Sequence, residues 1–197
     1  MKRILLLACI SCSLLTRAQY QLDCKITVGD QEANYRFAIA EKASKYTFNM
    51  EGIEMIMLNF LDNGSYGLFP EENMAIKMKQ ETLDTLEVCN CTFVKTGKKI
   101  ILLGYPCDEY IQKCGSFKGN SESKMWFAGD LKFNPFLISP IRKYVSSSAS
   151  RPSGFPLLNE GTLSDGTKVK FEVTSIIKIE VKPSDFIIPE GFTIIEY

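Results

Sequence analysis

Residues 168–182 alternate between apolar and polar side chains with a period of two, and this pattern constrains the fold more than any other feature. The apolar positions are Val169, Phe171, Val173, Ile177, Ile179 and Val181. Successive side chains of a β-strand point to opposite faces of a sheet, whereas a helix repeats about every 3.6 residues. The segment therefore predicts one long bent strand or a pair of strands.

Short apolar segments separated by turn signals continue this pattern through the preceding chain. Gly29-Asp30 ends the first predicted strand, and Asn63-Gly64 is typical of a hairpin turn because both residues tolerate positive φ. Two further strands are predicted at residues 87–95 and 99–112, around a turn at residues 96–98. Strands this short and this evenly spaced predict a sandwich, a barrel or a curved sheet.

Helix is predicted at one place. The best candidate is the segment from Asn134 to Val145. Pro135 and Pro140 lie within it, and because proline lacks an amide hydrogen they keep any helix there short or broken. The sequence therefore predicts a mainly β domain with little helix.

The N-terminus has the three parts of a secretory signal peptide. Lys2 and Arg3 supply positive charge, residues 4–15 form an apolar segment, and the small residue Ala18 precedes the cleavage point. The apolar segment is shorter than the about 20 residues that a membrane-spanning helix needs. We therefore expect cleavage after Ala18, a periplasmic or secreted location, and a single mature domain at residues 19–197.

A lipid anchor is the alternative fate of this N-terminus. Leu6-Leu7-Ala8-Cys9 matches a lipobox, and Cys12 follows Ser11. Modification of either cysteine would leave an unusually short apolar region, so anchoring is the less favoured alternative. No later segment is long and apolar enough to predict a membrane span.

Charge and composition exclude several classes of function. The 23 basic residues balance the 23 acidic ones without a basic cluster, so nucleic acid is not an expected partner. The chain has no histidine, which removes the commonest general base and most types of zinc and copper site. It also lacks the P-loop and GxSxG patterns. We expect no enzyme and no cofactor, with a carboxylate-dependent hydrolase as the minor alternative.

The cysteines point to disulfides. Two of the seven belong to the predicted signal peptide, and the five that remain are Cys24, Cys89, Cys91, Cys107 and Cys114. In an oxidising compartment, disulfides are the default for such cysteines, and an odd number leaves one thiol free or paired with another chain. The spacings do not match the CxxC knuckles of a zinc site, so no metal is expected.

Methionines recur on successive predicted strands. They are Met50, Met55, Met57, Met74 and Met78. Methionine is flexible and polarizable, and it recurs at permissive apolar binding surfaces. The cluster predicts either an apolar groove on the concave face of a curved sheet or a core that these side chains fill. A Cu(I) site at Met55 and Met57 is a third alternative, because thioethers suit that ion.

Aromatic residues around the helical candidate present a similar choice. Trp126, Phe133 and Phe136 precede it or fall within it. They are candidates for the mouth of the same apolar groove. The alternative is that they anchor the helix on the sheet.

A set of motifs spread over nearly the whole mature chain carries a family resemblance. They are Glu54-Met-Ile-Met-Leu58, Met74-Ala-Ile-Lys-Met78, Gly104-Tyr-Pro-Cys107, Met125-Trp-Phe127 and Phe186-Ile-Ile-Pro-Glu-Gly-Phe192. These motifs resemble a family of uncharacterised envelope proteins of Gram-negative bacteria, similar in fold to the lipoprotein carriers LolA and LolB. The resemblance implies a mainly β (α+β) half-barrel, with one or two short helices packed on the concave side of a curved antiparallel sheet. It also implies that Cys107 is bridged, without naming its partner.

The methionine cluster and the resemblance lead to one main functional hypothesis. We expect an exported, non-enzymatic binding or carrier module for an apolar ligand, a lipid or a lipidated chain such as a lipoprotein. The alternative is a structural or protein-interaction module of the envelope without a small ligand. The sequence does not predict an oligomeric state.

Overall fold

The computed structural model describes residues 19–50, 53–62, 64–78, 90–116, 119–133, 137 and 152–196. These residues form twelve strands of one sheet. In chain order the strands are β1 Gln19–Val28, β2 Gln31–Ile39, β3 Ala43–Met50, β4 Ile53–Phe60, β5 Gly64–Phe69, β6 Met74–Met78, β7 Asn90–Leu102, β8 Tyr105–Ser116, β9 Gly119–Ala128, β10 Phe155–Thr162, β11 Lys168–Ile179 and β12 Thr193–Glu196. The predicted signal peptide lies outside the described residues, so its cleavage stays a prediction.

The sheet is built from two antiparallel meanders, the first of strands β1 to β6 and the second of strands β7 to β11. Its strand order is β12-β6-β5-β4-β3-β2-β1-β11-β10-β9-β8-β7. β1 and β11 pair side by side and join the meanders, while β12 adds to β6 as the parallel strand of the sheet. Within the described chain β12 and β7 are the two edges, and they do not pair with each other. The mainly β, open sheet predicted from the sequence is confirmed.

The predicted helices on the concave side are not found in the described part of the chain. Its helical segments with defined bounds are two short 3-10 helices, Pro70–Glu72 and Pro183–Phe186. Each begins with proline, which is pre-organised for a first turn, and each ends within four residues. The candidate from Asn134 to Val145 lies outside the described residues except for Leu137.

The turn predicted at residues 96–98 is wrong. β7 continues through these residues as a bulge, in which they oppose the single residue Glu109 of β8. The chain reverses instead at Leu103 and Gly104, whose φ angles are 50° and 82°. A two-residue turn of this kind needs positive φ at both positions, and leucine rarely adopts it, so the sequence does not signal the turn.

The alternating segment at residues 168–182 forms one long strand, as one of the two predicted alternatives proposed. The prediction that all its apolar residues share one face is wrong, because a bulge at Thr174 shifts the register of β11 against β1. Val173 pairs with Cys24, but beyond the bulge Ile176 pairs with Leu22 and packs against the core. Ile177 therefore turns outward and is 47% exposed.

The main buried cluster draws side chains from β1–β4 and β8–β11. Phe37, Phe155 and Phe171 are among its largest fully buried members. The connection that follows β9 adds Leu131 and Leu137 to this cluster, with 2% and 1% exposure. Leu131 and Leu137 thus cover part of the buried face of the sheet.

Candidate apolar binding face

Strand register places the predicted methionines on one face of the sheet. Across β3 to β12, Tyr46 pairs with Met57, Met57 with Gly67, Gly67 with Ile76, and Ile76 with Ile195. Directly opposite residues of neighbouring strands share a face, as do alternate residues of one strand. The methionine face, as we call this surface, consists of Met55, Met57, Gly67, Phe69, Met74, Ile76, Met78 and Ile195.

Burial falls across the methionine face toward the sheet edge. Met57 is 7% exposed and belongs to the main core, whereas Met78 is 46% exposed. Met55, Phe69, Met74, Ile76 and Ile195 are half-buried and lie outside both buried clusters of the described residues. Met57 thus fills the core, while the other described methionines of this face remain partly open to solvent.

Gly67 is buried in the middle of this face, and the side chains of Met57, Phe69 and Met78 fill the space above it. A Cβ atom at this position would lie 3.4 Å from Met57 Sδ and 4.0 Å from Met78 Sδ. The two thioethers therefore approach the same space from β4 and β6. Because methionine is unbranched and flexible, the exposed Met78 side chain can adapt to a ligand, whereas Met57 is held in the core.

The opposite face of the same strands is covered by the protein itself. Leu58, Leu68 and Ala75 are buried there, at 1%, 3% and 0% exposure. Ile188 and Phe192, from the segment before β12, pack against them. The strands β4 to β6 therefore have one face closed by their own chain and one face that is partly open.

A row of polar side chains crosses β3, β4 and β5 on the same side of the sheet as the methionine face and next to it. Ser65 Oγ donates to Asn59 Oδ1 at 2.7 Å, and Asn59 Nδ2 donates to Ser44 Oγ at 3.2 Å. Ser44 Oγ in turn donates to the carbonyl of Leu137. This chain of hydrogen bonds holds the β9–β10 connection over β3, next to the buried end of the methionine face.

The aromatic candidates lie elsewhere in the sheet. Trp126 on β9 is buried in the main core, and five strands separate β9 from β4. Phe133 packs edge to face between Tyr20 and Phe155, with ring centroids 5.2 and 5.1 Å away. Phe133 therefore anchors the connection on the sheet. Phe136 and the side chain of Met50 lie outside the described residues.

One disulfide joins the described cysteines. Cys91 and Cys114 face each other across β7 and β8, with their Cα atoms 4.1 Å apart. A disulfide is typical of proteins from oxidising compartments, which agrees with an extracytoplasmic location. The sequence did not indicate which cysteines would pair, because the pairing depends on strand register. Cys89 lies outside the described residues.

Cys24 and Cys107 are buried free thiols. The expectation that Cys107 is bridged is wrong, because its partners in register are Ile100 and Ala128 and its Sγ donates to the Tyr105 carbonyl at 3.4 Å. Burial raises the pKa of the Cys24 thiol, and to a smaller degree the neighbouring charge of Asp23 does so. Burial likewise raises the pKa of the Cys107 thiol. Both groups therefore stay protonated and are poor nucleophiles at neutral pH.

A cleft in the described surface has charged side chains in its lining. It has a volume of about 880 Å³ and is lined by Glu122 and Glu160 together with several lysines. Lys113 forms an ion pair with Glu122 at 3.4 Å, and Lys124 lies opposite Glu160 in register. Each carboxylate thus has a cationic neighbour. The described residues contain no group of three or more His, Cys, Asp or Glu side chains that would hold a metal ion.

Comparisons with known proteins define the fold. No family model and no curated protein matches the chain. It is similar to MucB in complex with MucA(peri), with a TM-score of 0.50 and 8% identity over 89% of this chain and 55% of that one. A MucA/MucB complex from Pseudomonas aeruginosa gives a TM-score of 0.50 and 9% identity, over 89% of this chain and 56% of that one.

A LolA superfamily protein from Nitrosomonas europaea also matches, with a TM-score of 0.37 and 7% identity over 88% of this chain and 91% of that one. The chain spans a little over half the length of the MucB chains it matches, which are 55% and 56% covered. No described helix is both long and apolar enough to cross a membrane. The two MucB structures with a TM-score of 0.50 show that the chain shares its fold with MucB.

Proposed function

We propose that this protein is an exported, non-enzymatic binding module whose methionine face takes up an apolar chain, the acyl chain of a lipid or of a lipidated protein. The observation that carries the proposal is the asymmetry of β4 to β6. One face of these strands is closed by the C-terminal segment around Ile188 and Phe192. The other face carries methionines and remains partly open.

The chemistry of the methionine face suits an acyl chain. These eight positions are apolar or glycine, and the polar residues beside them on the same face, Asn59, Ser65 and Thr193, are uncharged, so the surface offers apolar contact without a charged anchor. Burying a methionine or isoleucine side chain fully contributes about 1.5–3 kcal/mol, so several half-buried side chains supply a substantial driving force. Methionine side chains are unbranched and flexible, so Met55, Met74 and Met78 suit chains of different shape.

The cellular location supports the same ligand class. The predicted signal peptide and the disulfide between Cys91 and Cys114 agree with an envelope protein. Lipids and lipoproteins are the abundant acyl-bearing molecules of that compartment. These features support a periplasmic or secreted location, in which acyl chains are available as ligands.

Native mass spectrometry tests this function. The protein is purified from the envelope of an expressing host and sprayed without denaturation, and we expect a bound species of lipid mass. Met78→Glu puts a charge on the methionine face and should remove that species. Ile194→Glu is the matched control, because Ile194 is 51% exposed and pairs with Ala75 on the opposite face. A ligand-free wild type, or equal loss in both variants, contradicts the proposal.

A protein-interaction module is the second candidate. The observation that favours it is the fold shared with MucB, which was solved in complex with MucA(peri). Under this alternative the protein partner, and not an acyl chain, occupies the open surface. Cross-linking in the intact envelope separates the two: a stoichiometric protein adduct together with a lipid-free protein favours the interaction module.

A further inference from the structure

We propose that the methionine face selects acyl chains whose head offers an uncharged hydrogen-bond donor, a hydroxyl or an amide N–H, and disfavours free acyl carboxylates. The selecting atom is Ser65 Oγ, which lies on the same face and opposite Met78 in register. This inference rests on the proposed function and deepens it, because it names the class of acyl ligand that the same site takes.

The direction of the hydrogen bonds that lead to Ser65 is fixed from their buried end. The Leu137 carbonyl can only accept, so Ser44 Oγ donates its one proton there. Ser44 Oγ therefore accepts from Asn59 Nδ2 at 3.2 Å, which turns the side-chain carbonyl of Asn59 toward Ser65. That carbonyl oxygen can also only accept, so Ser65 Oγ donates to it at 2.7 Å. Each bond thus determines the direction of the next.

Ser65 is consequently an acceptor toward the surface. Its one proton is held by Asn59, while a hydroxyl oxygen has two acceptor lone pairs. Within the described part of the chain, no group donates a hydrogen bond to Ser65 Oγ. Ser44 and Asn59 are buried, so reversing the chain of bonds would leave buried polar groups without partners. Ser65, which is half-buried, therefore meets a ligand with its lone pairs.

The uncharged surroundings of Ser65 add to this selectivity. The side chains that share its face on β4, β5, β6 and β12 are apolar, glycine or neutral polar. Lys77 of β6 lies on the opposite face, in an ion pair with Glu196 at 2.7 Å. A carboxylate head would lose hydration here without a cation to compensate, and as an acceptor it would face the lone pairs of Ser65. The site therefore disfavours free fatty acid anions for two reasons.

The position of Ser65 joins this acceptor to the surface for the acyl chain. Directly opposite residues of paired strands have Cβ atoms about 4.5–5.5 Å apart, and Ser65 is opposite Met78 in this way. A donor at the head of an acyl chain thus reaches Ser65 Oγ while the chain lies over Met78 and Ile76. Glycerol esters of fatty acids supply a hydroxyl at this place, and N-acylated proteins supply an amide N–H.

Methionine methyl NMR with four probes of equal chain length tests the proposal. The exported protein, freed of copurified lipid, is titrated with monododecanoylglycerol, N-methyldodecanamide, methyl dodecanoate and dodecanoate, at about pH 8 so that dodecanoate is ionised. The first two probes carry a neutral donor, and the methyl ester is neutral without one. Ser65→Ala should weaken both donor probes about threefold to tenfold, the effect of one hydrogen bond, and leave the methyl ester unchanged. Dodecanoate should bind the wild type at least about tenfold more weakly than the amide.

Two further variants separate a lost acceptor from a disturbed site. Ser65→Thr keeps the hydroxyl and suits a strand, so it should retain the affinity for both donor probes. Thr193→Val removes a hydroxyl from the same face, opposite Met74 and two strands away from Ser65, and should leave all four affinities unchanged.

Several outcomes overturn the selectivity and leave the acyl-chain function standing. They are equal wild-type affinities for the amide and dodecanoate, equal effects of Ser65→Ala on the donor probes and the methyl ester, or the same loss in Thr193→Val. Binding of none of the four probes overturns the acyl-chain function, and the selectivity with it. A response of the glycerol ester alone to Ser65→Ala supports the proposal with a lipid as the source of the donor, and a response of the amide alone supports it with an N-acylated protein.

Discussion

Asn59 donates a hydrogen bond from its side-chain amide to Ser44 Oγ at 3.2 Å, and this buried pair links the β9–β10 connection to the first meander. The two residues are 1% and 0% exposed. Ser44 Oγ donates a hydrogen bond to the Leu137 carbonyl, while Asn59 Oδ1 accepts one from Ser65 Oγ. The pair therefore holds the β9–β10 connection at Leu137 against β3, beside the methionine face.

Ser44→Ala should destabilise the protein by about 1–3 kcal/mol, because it leaves the Leu137 carbonyl and the Asn59 amide without a buried partner. The measurement is urea unfolding, in which the midpoint should fall while the slope stays constant. Ser164→Ala, at an exposed turn position, should change stability by less than about 0.5 kcal/mol. Equal midpoints for both variants would contradict the role given to this hydrogen-bond chain.

The disulfide between Cys91 and Cys114 should stabilise the fold measurably. It closes a loop with a sequence separation of 23, for which a loop-entropy estimate gives about 3 kcal/mol. The double variant Cys91→Ser, Cys114→Ser should lose stability of that order in denaturant unfolding. An unchanged unfolding midpoint would show that the bridge contributes nothing.

Thiol accessibility is a separate consequence of the cysteine positions. Cys24 and Cys107 are buried, so neither should react with an aromatic disulfide reagent in the native protein. Both should react once the protein is denatured without reductant. Rapid native labelling of either residue, located by peptide mass, would be inconsistent with the structure.

Gly154 should be irreplaceable for a reason beyond its φ of 98°. A Cβ atom there would lie 2.2 Å from the Ala128 carbonyl oxygen, so alanine forces β9 and β10 apart. Gly154→Ala should cost about 3 kcal/mol or more, combining backbone strain with the clash. Gly166 has a φ of 87° but open space around it, so Gly166→Ala should cost only about 1 kcal/mol. Similar melting temperatures for the two variants would refute the clash.

The ion pair between Lys95 and Asp108 predicts a pH dependence of stability. Lys95 Nζ donates to Asp108 at 2.8 Å and lowers the pKa of that carboxyl below its ordinary value. A carboxyl with a lower pKa in the folded state stabilises the protein above its unfolded pKa of about 4, and this contribution is lost as the pH falls through the folded pKa. Asp108→Asn should therefore melt below the wild type at pH 7, and the difference should disappear in strong acid. A constant difference across that range would count against the pair.

Local alternation predicted the strands and which residues of each strand share a face, because both follow from a period of two. That methionines of different strands lie on the same face depends also on the strand register. Local alternation did not predict the bulge at Thr174, which reverses the faces beyond it and turns Ile177 outward. It also missed the turn at Leu103, where the residue contradicts the usual preference. Which face of β4 to β6 is covered depends on Ile188 and Phe192, which come from distant sequence, so no local pattern reveals it.

Methionine methyl NMR tests the binding of acyl chains most directly. The protein is labelled with carbon-13 at the methionine methyl groups and titrated with a lysophospholipid below its micelle concentration. If the methionine face binds the chain, the signals of Met55, Met57, Met74 and Met78 shift together. Met125 on β9 has 0% exposure and lies far along the strand order, so its signal should stay in place. Unchanged signals from all four, or a shift confined to Met125, would contradict acyl-chain binding at this face.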